Sequence, residues 1–265
     1  MTDLDARTLR DAYDNQIRPE IPDPMPAGVT VERDGPLYRV LGLDQRGFLT
    51  YRTLEGLDGA ELDALIARQV AFFRTRGDAV EWKLAGHDEP ADLAERLRAA
   101  GFVPEDQETV VIGPVAALAA AVPVLPEGVR LREVTSRADL ERIAAMEKEV
   151  WHDDRSHLVA GLAREIEADP QSITIVVAEA GDTVVSAGWV RYQRGTGFAS
   201  FWGGSTLPQW RQKGIYRALV AYRARLAQQR GKALVQVDCS PDSRPILERL
   251  GLVAVTTTTP YVYTP

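Results

Sequence analysis

The sequence predicts an α/β protein built on a twisted, mixed β-sheet flanked by helices. Two strand-like segments, 173–179 and Thr183–Tyr192, are joined by a Gly-Asp turn typical of a hairpin. A third, Phe198–Thr206, runs through a basic turn into an uninterrupted helical pattern over Ile215–Gln229. A helix–strand–helix pattern in the first half of the chain also repeats one in the second half.

The remaining elements of the second half are also helices and strands in alternation. A helix starts at Ser136, and a second covers 157–169. Residues 233–238 form a short apolar strand, after which Pro245 lies near the first turn of a last helix. Two further β-rich pieces, 252–256 and 261–264, close the chain.

The turn between the third strand and its helix carries the main functional signal. A helix that begins directly after a turn leaves its first N–H groups unpaired, with the positive end of the helix dipole behind them. Such a terminus suits a phosphate or pyrophosphate. Gly214 permits close backbone approach, and Arg211, Lys213 and Arg217 add positive charge. The alternative is an ordinary strand–turn–helix junction with solvated basic residues.

Two other phosphate-binding motifs are absent. The segment Gly203-Gly204-Ser205-Thr206 lacks the lysine of a P-loop, and no G-x-G-x-x-G follows a strand. The turn instead resembles the pyrophosphate loop of the GNAT N-acetyltransferase superfamily, [RQ]-x-x-G-x-[GA]. Arg211 and Gly214 match this pattern, whereas Tyr216 stands where the family usually has Gly or Ala. A tyrosine there is expected to crowd or reshape the diphosphate pocket.

The resemblance covers residues 128–265 and implies an acetyl-CoA-dependent N-acetyltransferase. It implies that the strand before the loop carries the pantetheine and that a backbone N–H near Leu207 stabilises the oxyanion. The residues that it assigns to acetyl-CoA are Thr206, Leu207, Arg211, Gln212, Lys213, Gly214, Ile215, Tyr216, Arg217 and Ser243.

The general acid of the family is missing from this chain. Many members have a tyrosine four residues before the glycine that follows the last helix, and here Leu247 occupies that position. A thiol with a pKa of about 8.5 still leaves tolerably as a thiolate. For the base, Asp238 ends a strand next to the expected cofactor cleft and could act through a water. Its alternative role is to hold the loop that follows.

The residues that would select the acceptor amine are expected in the segment 146–154, at the end of the helix that starts at Ser136. The resemblance implies that a helical hairpin here roofs the acceptor channel. Glu149, Trp151, His152 and Asp153 could bind an amine through charge and cation–π contacts. The alternative is a solvated charged turn. No metal site is expected, because adjacent residues such as His152 and Asp153 cannot all face one ion from regular structure.

The N-terminal half reads as a degenerate copy of the second half. Ala64-Leu65-Ile66-Ala67 parallels Ala218-Leu219-Val220-Ala221 within the two long helices. Acidic residues precede the first of these helices, where they would repel a diphosphate. The first copy is therefore expected to have the fold but no cofactor site. The alternative is a generic αβα half without common ancestry. We expect a GNAT-like domain over 1–114, a linker over 115–127 and a second GNAT-like domain over 128–265.

Composition narrows the classes of partner. A net charge of -7 argues against nonspecific nucleic-acid binding and fits a cationic acceptor. A single cysteine excludes an internal disulfide. The start of the chain is acidic and has no apolar core of a signal peptide, and the apolar tract 115–125 is too short to cross a bilayer. A cytoplasmic monomer or homodimer is expected.

The sequence leaves two main functional classes open. The first is an N-acetyltransferase acting on a small-molecule or protein amine. The second is a catalytically silent CoA-binding protein, favoured by Leu247 and Tyr216. An interaction scaffold that uses both copies is a more remote third option.

Overall fold

A computed structural model describes residues 5–18, 21 and 23–265. The acidic start of the chain, on which the expectation of no signal peptide rests, lies outside the described residues except for Asp5. The chain forms two compact units. Unit 1 consists of Met1–Val110, Cys239–Pro241 and Val255–Pro265, and unit 2 consists of Val111–Asp238 and Asp242–Ala254.

The described helices and strands alternate along the chain. In order they are α1 (Ala6–Gln16), β1 (Thr30–Asp34), β2 (Leu37–Leu41), β3 (Gly47–Thr50), α2 (Gly59–Arg76), β4 (Val80–Ala85), α3 (Leu93–Ala99), β5 (Val103–Pro104), β6 (Glu108–Pro114), α4 (Val115–Ala119), β7 (Val129–Val134), α5 (Arg137–Trp151), α6 (His157–Ala168), β8 (Ile173–Ala180), β9 (Thr183–Tyr192), β10 (Phe198–Thr206), α7 (Ile215–Gln229), β11 (Leu234–Cys239), α8 (Arg244–Arg249) and β12 (Val253–Tyr263).

Unit 1 is built on the strand order β1-β2-β3-β4-β12, with β5 paired to β12. The β1–β2 and β2–β3 pairs are antiparallel, and β3 then runs parallel to β4 through the crossover helix α2. Apolar side chains of α2 such as Leu62, Ile66 and Phe73 are fully buried in its core, together with Trp82. These contacts give α2 one buried face, as expected for a helix that covers a sheet.

Unit 2 repeats this plan with one more antiparallel strand. Its order is β6-β11-β10-β9-β8-β7. The β7–β8, β8–β9 and β9–β10 pairs are antiparallel, and β10 runs parallel to β11 through the crossover helix α7. Its core joins α5 and α6 to the sheet through buried residues that include Ile143, Met146, Leu162, Ile175 and Val177. An antiparallel meander followed by a parallel β–α–β step is thus common to both units.

Most predicted elements of the second half are confirmed, and one is corrected. The strands β8, β9 and β10 and the helix α7 occur where the patterns predict them. The two β-rich pieces at the end are instead one strand, β12, which continues through Pro260. Pro260 lies opposite Lys83 of β4, and its carbonyl oxygen accepts a hydrogen bond from the N–H of Glu105. The proline lacks a donor but keeps its acceptor, so the strand is not interrupted.

The contact-based units do not follow the predicted domain limits at the end of the chain. The sequence prediction assigns all of 128–265 to the second domain, whereas Val255–Pro265 pack within unit 1. The predicted domain limits, 1–114 and 128–265 with a linker over 115–127, therefore stay a prediction.

Candidate functional site

The loop between β10 and α7 has a strained backbone that depends on glycine. A short 3₁₀ turn over Pro208–Trp210 follows β10. Gln212 and Gly214 then adopt left-handed conformations, with φ of 61° and 82°. Gly214 is the residue that caps α7, and it offers no side chain to the helix amides. Left-handed φ favours glycine, so the predicted glycine is required by the turn itself.

The start of α7 presents backbone amides to this loop. The first bond of the helix runs from the N–H of Ala218 to the carbonyl oxygen of Gly214, at 3.0 Å. The N–H groups of the turn before Ala218 have no acceptor within the helix. Unpaired amides with a helix dipole behind them generally favour an anion, so the predicted anion site would lie at this helix start. No acidic residue occurs in the first turn of α7.

The basic side chains of the loop have different surroundings. Arg211 turns back, and its Nε donates to the carbonyl oxygen of Thr206 at 3.0 Å. The Nζ of Lys213 lies 4.9 Å from the ring centroid of Trp210. Gln212 and Arg217 are exposed, whereas Ile215 is buried in the core. Arg211 therefore fixes the loop to the end of β10, while Lys213 and Arg217 remain near the surface.

Two neighbours define how much room the loop has. A Cβ at Gly214 would lie 3.1 Å from the carbonyl oxygen of Val124, which precedes β7. A Cβ at Gly204 would lie 2.8 Å from Cε2 of Tyr216. The ring of Tyr216 thus lies against β10, where Gly204 leaves space for it. The sequence analysis expects Tyr216 to crowd the diphosphate pocket, and in the structure its ring lies beside Gly204 of β10.

The strand β10 changes its pairing halfway along. Residues 198–200 pair with 234–236 of β11, whereas the pairing with β9 continues to Thr206. A bulge occurs between Gly203 and Ser205, and both Gly203 and Gly204 have positive φ, at 66° and 88°. Bulges redirect a strand and are frequent next to active sites. The second half of β10 is therefore bent and leads into the loop with the predicted anion site.

The predicted oxyanion donor is already engaged in this structure. The N–H of Leu207 donates to the carbonyl oxygen of Val185 at 3.0 Å. A donor held in this bond is not available to a second acceptor of comparable strength. The assignment of Leu207 as the oxyanion donor is therefore disfavoured, because the amide continues the β9–β10 ladder.

A buried arginine, which the sequence analysis did not single out, supports the bulge. Arg223 of α7 is 1% exposed, and its Nη1 donates to the carbonyl oxygens of Trp202 and Trp189, at 3.0 and 3.2 Å. Burial lowers the pKa of its guanidinium to about 10. The side chain satisfies carbonyl groups on both sides of the β9–β10 pair. Its sequence signal is a charged residue four positions after Leu219, on the apolar face of α7.

The most unusual carboxylate of unit 2 is Glu147 of α5, which is 3% exposed. Its Oε2 accepts hydrogen bonds from Trp151 Nε1 and Ser205 Oγ, both at 2.8 Å. Its Oε1 is buried without a hydrogen-bond partner. Burial raises the pKa of this carboxyl group, and the two hydrogen bonds and Arg155 oppose that rise. Ser205 directly follows the bulge, so Glu147 lies at the bent part of β10.

The predicted acceptor residues are only partly brought together. Trp151 joins β10 through its indole N–H, which also lies 2.9 Å from Ser205 Oγ. Glu149 is exposed, and His152 ends α5 with a φ of 59°. Asp153 accepts a hydrogen bond from Arg155 Nε at 2.7 Å. Trp151 thus faces the bulge, whereas the other three belong to an exposed helix end.

The remaining predicted residues lie around β11 and α8. Asp238 is half-buried, and its Oδ1 accepts from Gln236 Nε2 at 2.6 Å. Ser243 precedes α8 and makes no side-chain cap bond to that helix. Leu247 is fully buried. An apolar core contact therefore occupies the position of the family's general acid.

The corresponding loop of unit 1 has the opposite charge character. It includes Glu55 and Gly56, both with positive φ, and α2 begins after Asp58. A cavity of about 330 Å³ lies beside it. Acidic residues contribute to its lining: Asp14, Glu55, Asp58, Asp88 and Glu89. Arg18, Arg52 and His87 also line the cavity, so it combines acidic and basic side chains. The absence of a cofactor site in the first copy stays a prediction.

In the described part of the chain, none of the helices has the length and hydropathy that a membrane span requires. No group of three or more His, Cys, Asp or Glu side chains in that part could hold a metal ion.

Comparison with known proteins shows the fold of the chain. No protein-family profile matches it, and no curated protein matches it in sequence. Among solved structures it is similar to a GCN5-related N-acetyltransferase from Kribbella flavida, with 19% identity, 90% of each chain covered and a TM-score of 0.66. A conserved protein of unknown function from Staphylococcus epidermidis has 15% identity and a TM-score of 0.64, with 91% of this chain and 96% of that chain covered.

A third structure has the tandem arrangement. It is a tandem GNAT protein from the clavulanic acid biosynthesis pathway, with 15% identity and a TM-score of 0.61. The alignment covers 91% of this chain and 84% of that chain. These similarities confirm the predicted GNAT-like fold, a large mixed sheet flanked by helices.

Proposed function

We propose that this chain is an acyl-CoA-dependent N-acetyltransferase that moves an acetyl group from acetyl-CoA to an amine. The observation that carries the proposal is the glycine-dependent turn at Gly214, which begins α7 without a side-chain cap, a short loop after a bulged strand. A diphosphate is the part of the thioester substrate that fits such amides. Similarity in fold to N-acetyltransferases supports the same function.

The proposed binding site uses this chain's own groups in defined ways. The backbone amides from Gln212 to Arg217 would hold the diphosphate, and the exposed side chains of Lys213 and Arg217 would add charge. Arg211 keeps the loop on β10 through its bond to Thr206. The bent edge of β10 would carry the pantetheine, next to the groups around Ser205. Thr206 and Ser243 remain assigned to the cofactor by resemblance.

The proposed reaction is direct attack of the amine on the thioester carbonyl. Since Leu247 is a buried core residue, no acid is proposed at that position. A thiolate leaving group with a pKa of about 8.5 makes transfer without it feasible. General acid catalysis typically contributes 10²–10⁴-fold, so a modest rate is expected if no other donor replaces it.

A catalytically silent CoA-binding protein is the second candidate. Two observations favour it: Leu247 cannot donate a proton, and the Tyr216 ring occupies space beside Gly204 on β10. Binding of CoA without turnover is its signature. The cytoplasmic location, the choice between monomer and homodimer, and the absence of a cofactor site in the first copy remain predictions.

Two measurements test the proposed function. Calorimetry with CoA and acetyl-CoA is expected to give one site per chain, and no binding at millimolar ligand would refute the loop assignment. Thiol release from acetyl-CoA across a panel of primary amines then tests catalysis. Binding without thiol release would favour the silent class.

A further inference from the structure

The buried carboxylate of Glu147 has hydrogen-bond partners on only one of its two oxygens. Taking a carboxylate out of water costs several kcal/mol unless charge or hydrogen bonds compensate. Among the described residues Glu147 forms no ion pair, and only one of its two oxygens accepts hydrogen bonds. Oε1 is therefore a buried acceptor for which the described residues supply no donor.

The surroundings of Glu147 hold it in one orientation. The indole of Trp151 lies one helical turn further along α5, and the hydroxyl of Ser205 comes from β10. Both donate to Oε2, which leaves Oε1 as the atom that can receive a proton. The charged groups that act on this carboxyl are Arg155 and Asp153, of opposite sign and joined to each other at 2.7 Å. Arg155 lowers the pKa of Glu147, and Asp153 raises it.

The position of the group fits the acceptor side of the proposed reaction. Ser205 follows Gly204 at the bulge, where the β10 edge is no longer paired with β11. The anion site begins a few residues later in the same chain segment. A thioester held along this edge would present its carbonyl carbon near the bulge. The acceptor nitrogen must reach that carbon, and Glu147 lies on the helix that covers it.

The geometry points to Glu147 as the group that binds the acceptor's ammonium through Oε1 and removes one of its protons. This inference rests on the proposed function. The ammonium gives one proton to Oε1, and its nitrogen then forms the C–N bond as the C–S bond breaks. The second surplus proton of the nitrogen ends on the departing sulfur, and Glu147 returns its proton to solvent. Trp151 and Ser205 act as positioning residues.

This assignment differs from the sequence-based choice of Asp238. Asp238 is half-buried and accepts a hydrogen bond from Gln236 at 2.6 Å. Glu147 has a buried oxygen without a hydrogen-bond partner, and burial raises its pKa, which makes the carboxylate a stronger base. The acceptor that this assignment requires is a protonated amine with at least two N–H groups.

The first experiment needs no knowledge of the natural acceptor. The indole N–H signal of Trp151, identified with a Trp151→Phe variant in ¹H–¹⁵N spectra of the full chain, reports on Glu147 through their hydrogen bond. Addition of n-butylammonium is expected to shift this signal in the wild type and not in Glu147→Gln. Tetramethylammonium, which has no N–H, is expected to leave it unchanged. An equal response in wild type and variant, or none in either, would overturn the inference.

The second experiment measures catalysis on any amine that the wild type acetylates. Glu147→Gln is expected to lower kcat/KM by about 10²–10⁴-fold and to abolish the rise of kcat/KM with pH that follows ionisation of Glu147. Glu141→Gln removes an exposed charge from the same helix and is the matched control. Calorimetry with acetyl-CoA is expected to give the same affinity in all three proteins.

The two experiments separate this inference from the proposed function. If the wild type fails to bind acetyl-CoA, the proposed function is wrong. If it binds and turns over acetyl-CoA while Glu147→Gln keeps the wild-type pH profile, only the role of Glu147 is wrong.

Discussion

At the scale of single residues, Gly214 has the most stringent requirement in the candidate site. Its φ of 82° belongs to the left-handed region, and a Cβ would lie 3.1 Å from the carbonyl oxygen of Val124. The left-handed conformation strains a β-branched residue at this position, and the close approach of Val124 adds to that strain. The sequence motif and the structure agree on this position for the same physical reason.

Gly214→Val is expected to weaken CoA binding at least tenfold, because the substitution distorts the amides that would face the diphosphate. Gly231→Val is the matched control: Gly231 has a φ of 71° at the other end of the same helix segment, and no atom lies within 4 Å of its Cβ position. Both variants are expected to lose about 1–2 kcal/mol of stability from left-handed strain. Calorimetry and urea unfolding measure the two effects. Equal CoA affinities in the two variants would contradict the placement of the diphosphate.

At the scale of elements, a charged cluster ties α5 to the edge of the unit 2 sheet. Arg132 of β7 binds Asp139 of α5 and Glu179 of β8, at 2.6 and 2.8 Å. Arg142 of α5 also contacts Glu179 at 2.9 Å. Hydrogen bonds from Arg132 lower the pKa of both carboxyl groups to about 2. The cluster therefore holds the helix that carries Glu147 against two strands.

This cluster predicts a specific loss of stability in acid. The pKa values of both carboxyl groups are lower in the folded than in the unfolded chain, so their stabilisation is present above about pH 4.5 and lost as the pH falls toward 2. Glu179→Gln is expected to reduce the stability difference between pH 7 and pH 3 by on the order of 2 kcal/mol. Urea unfolding at the two pH values measures it.

The control for the acid prediction is an exposed ion pair on the same helix. Glu141 contacts Arg137 at 3.1 Å, with side chains 57% and 73% exposed. Exposed pairs contribute about 0–1 kcal/mol, so Glu141→Gln is expected to leave the pH dependence nearly unchanged. An equal change in the pH dependence of stability in both variants would show that the cluster around Glu179 does not cause the loss of stability in acid.

At the scale of the whole molecule, the chain ends in the unit with which it begins. Residues 258–263 of β12 pair with residues 85–80 of β4. The short strand β5 also pairs with β12. Tyr261 is 3% exposed in the core of unit 1, and the ring of Tyr263 lies 5.6 Å from that of Phe102. Unit 1 therefore takes part of its sheet and of its core from the last residues of the chain.

Separation of the two halves at the predicted linker is expected to disrupt unit 1. A fragment of residues 1–127 lacks β12 and leaves β4 with an unpaired edge, so it is expected to show no cooperative unfolding transition in circular dichroism. Residues 253–265, attached to the same fragment through a flexible Gly-Ser linker, are expected to restore the transition. A cooperative transition in the bare fragment would contradict the role given to β12.

The sequence predicts the parts of the site that depend on local backbone. The elements β8, β9, β10 and α7 follow from periodicity and turn residues, and Gly214 follows from a motif whose spacing is local. Glu147 does not stand out in this way, since its sequence neighbours are an ordinary run of helical charges. Its burial and its contact with Ser205, 58 residues later in the chain, distinguish it from the exposed Glu149.

The sequence by itself determined the order of elements, the repeated β–α–β step and the position of the glycine turn, because these are set by interactions between residues near each other in the chain. The tertiary structure decided which carboxylate is buried, that the Leu207 amide is already bonded, and that the last strand completes unit 1. Those outcomes depend on contacts between distant segments. Burial and pairing of polar groups arise from such contacts, and neither has a local signature in the sequence.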